Sequence, residues 1–289
     1  MPICISDDIS VPISGIGEIF AHNGDLFAAT AHPACAAIEE DSVNAVASHR
    51  ESRSHAKIGF VVKGFFDWFR IWVCQSECGK IDDCQKVADA IVADGGKATA
   101  IACHIGEMEQ IQSVFAFIRE QFGRLDILVN NAAHQATFEK PEDISATEWD
   151  VTFRTNIHGM FYLSKRAVAR MEPGGTIINT ASINSTDPSP GLLAYATTKG
   201  AIQNFTAGLC RMVADRGIRV NAVAPGPVWT PLIPSTMPEE KVKSFGGNTP
   251  LGRAGQPAEL AGAYVFLASE DATYITGAVI EVTGGRPML

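Results

Sequence analysis

The chain has 289 residues, 46% of them hydrophobic and 19% charged, with 32 acidic against 23 basic side chains and a formal net charge of −9. That apolar content excludes a disordered chain, and the acidic balance argues against a surface that grips phosphate backbones, so no nucleic acid partner is expected. At about 150 residues per domain, the length allows two domains or one large one.

Along the chain, Met1 to Ser10 lacks the basic start and apolar centre of a signal peptide, and no apolar run approaches the roughly 20 residues that cross a bilayer. A cytoplasmic location without a membrane partner is expected. Residues 1 to about 56 hold four of the seven histidines and show no sustained period of 2 or 3.6. Strand candidates follow at Ile58–Val62 and Arg70–Cys74, and the composition changes near residues 75 to 80. Residues 1–80 therefore read as an atypical N-terminal segment, set apart from 81–289.

From there strand-like and helix-like segments alternate, the pattern of a parallel sheet covered by helices. Lys97–Cys103 reads as a strand, Met108–Gln121 as an amphipathic helix, and Leu125–Val129 as a buried strand running into Asn130-Asn131-Ala132. Ser145-Ala146-Thr147-Glu148 is a capping box that opens a long helix to about Met171, with Ser145 capping a backbone N–H and Glu148 reaching back. Thr176–Thr180 is the next strand, Leu193 to Asp215 a helix closed at Gly217, and Ile218–Val223 a strand broken by Pro225-Gly226-Pro227. Val228–Leu251, with a short charged helix near Glu239, is too long for an ordinary connection and reads as a lid. Pro257 opens a helix to about Ser269, and Ala278–Val282 is the last strand. The seven cysteines are odd in number, and Cys74, Cys78 and Cys84 have no second pair at zinc spacing, so neither disulfides nor a metal site is expected.

In an open α/β sheet ligands bind beyond the carboxyl ends of the strands. The chemistry-bearing residues there are Asn130 to Ala132, Ser182 and Pro225-Gly226. Tyr195 and Lys199 share one face of the helix that follows Ser182. An ammonium one turn from a phenol is expected to lower the phenol's pKa, which allows proton exchange near neutral pH, while Ser182 holds the substrate oxygen. Proton exchange at a carbonyl becomes a redox reaction only with a hydride partner, which side chains do not supply, so a nicotinamide cofactor is implied.

The run from Ile81 to Leu289 resembles the short-chain dehydrogenase/reductase family. The residues that carry the likeness are Asn130-Asn131-Ala132, Asn156 within Thr155–Gly159, Ser182 thirteen positions before Tyr195, the Tyr195/Lys199 pair, Pro225-Gly226 with Thr230, and the ending Val282-Thr283-Gly284-Gly285. The resemblance implies an α/β, doubly wound, mostly parallel Rossmann-type sheet. It implies Tyr195 as general acid/base, Lys199 as its modulator and ribose ligand, Ser182 as the group orienting the substrate, and Asn156 as holder of a relay water. Asn130, Ala132, Pro225, Gly226, Val228 and Thr230 would line the cleft for NAD or NADP, with Trp229 in the lid. His134 and His158 lie near the cleft in sequence and receive no catalytic role. The expected partner is a small alcohol or carbonyl substrate, and the expected assembly a homodimer or homotetramer through 145–171, 193–215 and 277–289.

The chain departs from the family at its first βαβ unit, which normally carries the glycine loop for the pyrophosphate. Gly15 and Gly17 supply half of such a loop, but Val11 falls where a glycine is needed. Taking Lys57–Gly64 and Arg70–Cys74 as the first two strands leaves too few residues for a parallel crossover. His104 stands where the family usually has an Asp. A catalytically silent relative serving as a binding or oligomerisation module is therefore the alternative expectation.

Overall fold

The computed structural model describes residues 56–63, 68–75, 82–93, 95–230, 233–234, 237 and 239–286. The Gly15/Gly17 placement lies outside them. Seven strands form one sheet in the order β3-β2-β1-β4-β5-β6-β7: β1 (Ala56–Lys63), β2 (Trp68–Gln75), β3 (Lys97–Ala102), β4 (Ile127–Asn130), β5 (Thr176–Thr180), β6 (Arg219–Pro225) and β7 (Val279–Val282). This is the doubly wound order, in which the direction of winding reverses between β1 and β4.

One strand runs the wrong way for an all-parallel sheet. β1 is antiparallel both to β2, in the register Ala56↔Gln75 to Lys63↔Trp68, and to β4, with Gly59 opposite Val129. β2 and β3 are parallel, as are β4 through β7. The reason is chain length. Residues 64–67 alone separate β1 from β2, and a parallel crossover needs a dozen or more, so the pair closes as a hairpin. The connection after β1 consequently leaves from the edge of the sheet opposite Asn130.

The other connections are helical. α1 (Asp82–Ala93), α2 (Met108–Phe122), α3 (Ala146–Phe153), α4 (Met160–Val168), α5 (Leu193–Val213), the short α6 (Glu239–Lys243) and α7 (Pro257–Ala268) follow one another along the chain. Side chains alternate across the buried strands. Leu128, Ile177 and Val220 meet Ile111, Phe115 and Leu163 on one face. Ile127, Val129, Ile178 and Val223 meet Tyr264 and Leu267 of α7 on the other. Both faces of β4, β5 and β6 are therefore dry, in keeping with the low charge content.

Two expected helices end differently. The long helix after Ser145 is interrupted by a π-helical turn, Arg154–Gly159, and stops at Val168 rather than Met171, where the chain tightens before its Pro-Gly-Gly turn. α5 runs on through a 3-10 turn, Ala214–Arg216, to Gly217, whose φ of 68° is the left-handed cap the sequence indicated. The capping box is only half formed. Ser145 Oγ accepts from Glu148 N at 3.1 Å, but the Glu148 carboxylate takes hydrogen bonds from His134 and Thr152.

Among the described residues no helix is long and apolar enough to cross a membrane, and no group of three or more His, Cys, Asp or Glu is placed to hold a metal ion.

Candidate active site

The carboxyl ends of β4, β5 and β6 and the first turns of α5 converge. Ser182, 6% exposed, follows β5 and caps the 3-10 turn Ile183–Ser185, where its Oγ accepts from Asn184 N at 3.2 Å. Its hydroxyl acts on the Tyr195 phenol, opposing the rise that burial imposes on it. Lys199 sits one turn further along α5, 1% exposed, with Nζ 5.3 Å from the centre of the Tyr195 ring. The short side chains Ala194, Ala196 and Thr198 let this turn of the helix press against the sheet, and all three are buried.

The electrostatics differ from the sequence expectation. Burial holds the Lys199 ammonium down to about 7, and burial pushes the Tyr195 phenol up to about 12, against the smaller opposing effect of the Ser182 hydrogen bond. Lys199 Nζ donates to the backbone oxygen of Thr180 at 2.7 Å. The phenol is therefore protonated at neutral pH, and the amine titrates there.

Asn156 lies within the π-helical turn, 1% exposed. Its Nδ2 donates to Thr198 Oγ1 at 2.9 Å, and Thr198 Oγ1 donates to the Tyr195 backbone oxygen at 2.6 Å. Asn156 is thus tied to the helix of Tyr195 and Lys199 through Thr198. Asn130 turns inward instead: its Nδ2 donates to Ser164 Oγ at 3.0 Å and Asn179 Oδ1 at 2.9 Å, and Asn179 donates to Thr206 Oγ1 at 2.9 Å. This buried network joins β4 and β5 to α4 and α5. Asn130 and Ala132 both line a small cavity that also touches Asn156 and Met160.

At the end of β6, Gly226 N donates to Val282 O at 2.9 Å. A Cβ on Gly226 would lie 2.7 Å from Thr283 Cα and 2.8 Å from its oxygen, so only glycine allows the ends of β6 and β7 to approach this closely. Pro225 ends the strand by withholding a ladder donor. Beyond it Val228 bridges to Gly255, and Trp229 N donates to Gly255 O at 2.8 Å. These bonds fix the segment from Val228 to Thr230 against the start of α7. The Trp229 ring stands 6.3 Å from that of Phe245 in the expected lid. His104, after β3, accepts from Gly106 N through Nδ1 at 3.1 Å and plays a turn-forming part there.

The partnerships of three further residues, Thr180, Tyr264 and His134, were not legible in the sequence. Thr180 donates from Oγ1 to Asn131 Oδ1 at 3.0 Å, and its Oγ1 lies 2.8 Å from the hydroxyl of Tyr264. An amide oxygen only accepts, so the single Thr180 hydrogen goes to Asn131 and Tyr264 must donate to Thr180. Burial raises the Tyr264 phenol, which keeps that proton in place. His134 is the third, through its bond to Glu148 at 2.7 Å. The available signal was the polar residues Asn179 and Thr180 in an otherwise apolar strand.

Residues 78–286 match a family model described as enoyl-(acyl carrier protein) reductase. The chain is 47% identical over 204 residues to the uncharacterized oxidoreductase YhdF of Bacillus subtilis, which spans 71% of each chain. It is 48% identical over 193 residues to the glucose and ribitol dehydrogenase of Daucus carota, covering 67% of this chain and 66% of that one. With the chloroplastic NADPH-dependent aldehyde reductase 1 of Arabidopsis thaliana it shares 43% over 212 residues, or 73% and 74% of the two chains. Among solved structures it is similar to the angucycline C-6 ketoreductase LanV with bound NADP, at a TM-score of 0.68 and 32% identity, over 74% of this chain and 84% of that one.

Proposed function

The chain belongs to the short-chain dehydrogenase/reductase family, and from that premise we propose that it transfers hydride between NAD or NADP and a small alcohol or carbonyl substrate, with Ser182, Tyr195 and Lys199 handling the proton. The observation that carries this reading is the juxtaposition of those three side chains: Lys199 is buried with its Nζ 5.3 Å from the centre of the Tyr195 ring, and the buried Ser182 hydroxyl is close enough to act on the phenol.

In reduction, the hydroxyls of Ser182 and Tyr195 hold the substrate oxygen. The phenol, held near 12, is fully protonated at neutral pH and gives its proton to that oxygen. Lys199, held near 7, is able to return a proton to the phenolate under the same conditions. Asn156 keeps a second lone pair on Oδ1 for the expected relay water. In the oxidative direction Tyr195 takes the hydroxyl proton once its own has passed to the Lys199 amine. A bound nicotinamide supplies the hydride that no side chain offers.

The residues fit the nicotinamide half of that cofactor. The lysine lies beside Tyr195, the close approach at Gly226 leaves the end of β6 without a side chain, and Val228 and Thr230 flank it. The described residues contain no glycine-rich turn from β1 into a helix, because β1 leads into a hairpin. The similarity to a glucose and ribitol dehydrogenase, an NADPH-dependent aldehyde reductase and a ketoreductase with bound NADP supports a polyol, sugar or carbonyl substrate.

Exposed apolar side chains on the α3, α4 and α5 stretch, namely Trp149, Phe161, Leu193 and Met212, support assembly with further copies of the chain. The buried thiols Cys103 and Cys210, in no disulfide among the described residues, are compatible with a reducing, cytoplasmic location.

Fluorescence titration with NADH and NADPH tests the reading. A Kd on the order of micromolar for either one is expected. No binding of either at millimolar concentration would overturn it in favour of a silent module.

A further inference from the structure

The side-chain amide of Asn156 and the backbone of His134 exchange two hydrogen bonds, from His134 N to Asn156 Oδ1 at 2.7 Å and from Asn156 Nδ2 to His134 O at 3.0 Å. The remaining Nδ2 hydrogen goes to Thr198, so the amide has no spare donor. Asn156 therefore joins the loop after β4 to the helix of Tyr195 and Lys199, and its orientation depends on where the His134 backbone sits. Residues 131–138 form neither helix nor strand, so this loop has no hydrogen-bond ladder of its own to fix it.

The His134 side chain supplies a second anchor. Its Nε2 lies 2.7 Å from Glu148 Oε1, with the two side chains 15% and 22% exposed. A carboxylate only accepts, so Nε2 carries the proton. Thr152 Oγ1 donates to the same oxygen at 3.2 Å and holds the carboxylate in place. Glu148 occupies the capping-box position of α3, yet it faces His134 and leaves the box half made. The helix that carries Asn156 thus holds His134 twice, by side chain at Glu148 and by main chain at Asn156.

We propose that His134 and Glu148 form a positioning pair for proton transfer: their hydrogen bond fixes the loop after β4 so that Asn156 stays locked between the His134 backbone and the helix bearing Tyr195 and Lys199. The inference rests on the reading of Tyr195 as the proton donor. Neither member of the pair touches the reacting atoms. A short, partly shielded hydrogen bond to a carboxylate is among the stronger side-chain bonds, and its loss releases the loop at the residue Asn156 grips.

The test is a double-mutant cycle on the full chain, with two readouts. In hydrogen exchange, Glu148→Ala speeds exchange of the His134 amide by about tenfold, whereas Glu148→Gln, which still accepts from Nε2, stays within about threefold. In NADPH-driven reduction of benzaldehyde, Glu148→Ala lowers kcat by about tenfold with KM little changed, and by less than about twofold in an Asn156→Ala background. An unchanged His134 amide in Glu148→Ala overturns the proposal, as does an equal loss of kcat in both backgrounds. Wild-type protein that reduces no carbonyl would instead refute the reading of Tyr195, and the exchange cycle would still decide whether Glu148 governs the Asn156 contact.

Discussion

Lys199 directs its ammonium to the Thr180 backbone oxygen, 2.7 Å away, with Nζ 5.3 Å from the centre of the Tyr195 ring. A cation placed this way is paired with a neutral dipole in a dry site, so it is held down to about 7 and weakens the fold while charged.

That arrangement predicts a pH dependence of stability. Between about 7 and the ordinary lysine value of 10.5, the folded chain carries a neutral Lys199 and the unfolded chain a charged one. The unfolded state then binds the extra proton, and raising the pH favours folding by at most about 1.4 kcal/mol per pH unit. Lys199→Met removes this contribution. Urea denaturation of both proteins from pH 7.5 to 9.5 is expected to show wild type gaining on the variant as pH rises. Parallel curves would show that Lys199 is not depressed.

Tyr264 donates to Thr180, whose own proton is committed to Asn131. Tyr264→Phe leaves the Thr180 hydroxyl one donor short while preserving the packing against Ile178 and Val223. The expected loss is about 0.5–1.5 kcal/mol of stability in chemical denaturation. A variant as stable as wild type would show that the hydroxyl contact contributes nothing net.

Gly226→Ala forces a methyl to within 2.7 Å of Thr283 Cα, a backbone atom that cannot swing aside. Separation of β6 from β7 is expected to cost about 1–3 kcal/mol, with a lower melting temperature and weaker NADPH binding. Unaltered melting and binding would show that the two strand ends have room to part.

Much of this architecture was legible because its determinants are local. The apolar runs ending at Val129 and Thr180 marked β4 and β5, Gly217 marked the end of α5, and the Tyr195/Lys199 spacing placed both on one helix face. The unreadable parts depend on partners distant in sequence. The Ser145 cap is visible from its spacing, but the diversion of Glu148 to His134, fourteen positions earlier, is set by the loop after β4. The i, i+4 spacing likewise brings a cation near the phenol and says nothing of the Thr180 carbonyl beneath it. The short link before β2 excluded a crossover in the sequence, and the antiparallel pairing of β1 with β4 follows from that limit.

The exchange of the Tyr195 hydroxyl for hydrogen tests the central claim most directly, since Tyr195→Phe keeps the ring beside Lys199 and removes only the phenol's proton. A folded variant with wild-type melting temperature and NADPH affinity is expected to lose at least about a hundredfold in kcat for carbonyl reduction. Turnover at the wild-type rate by that folded variant would contradict the assignment of Tyr195 as proton donor.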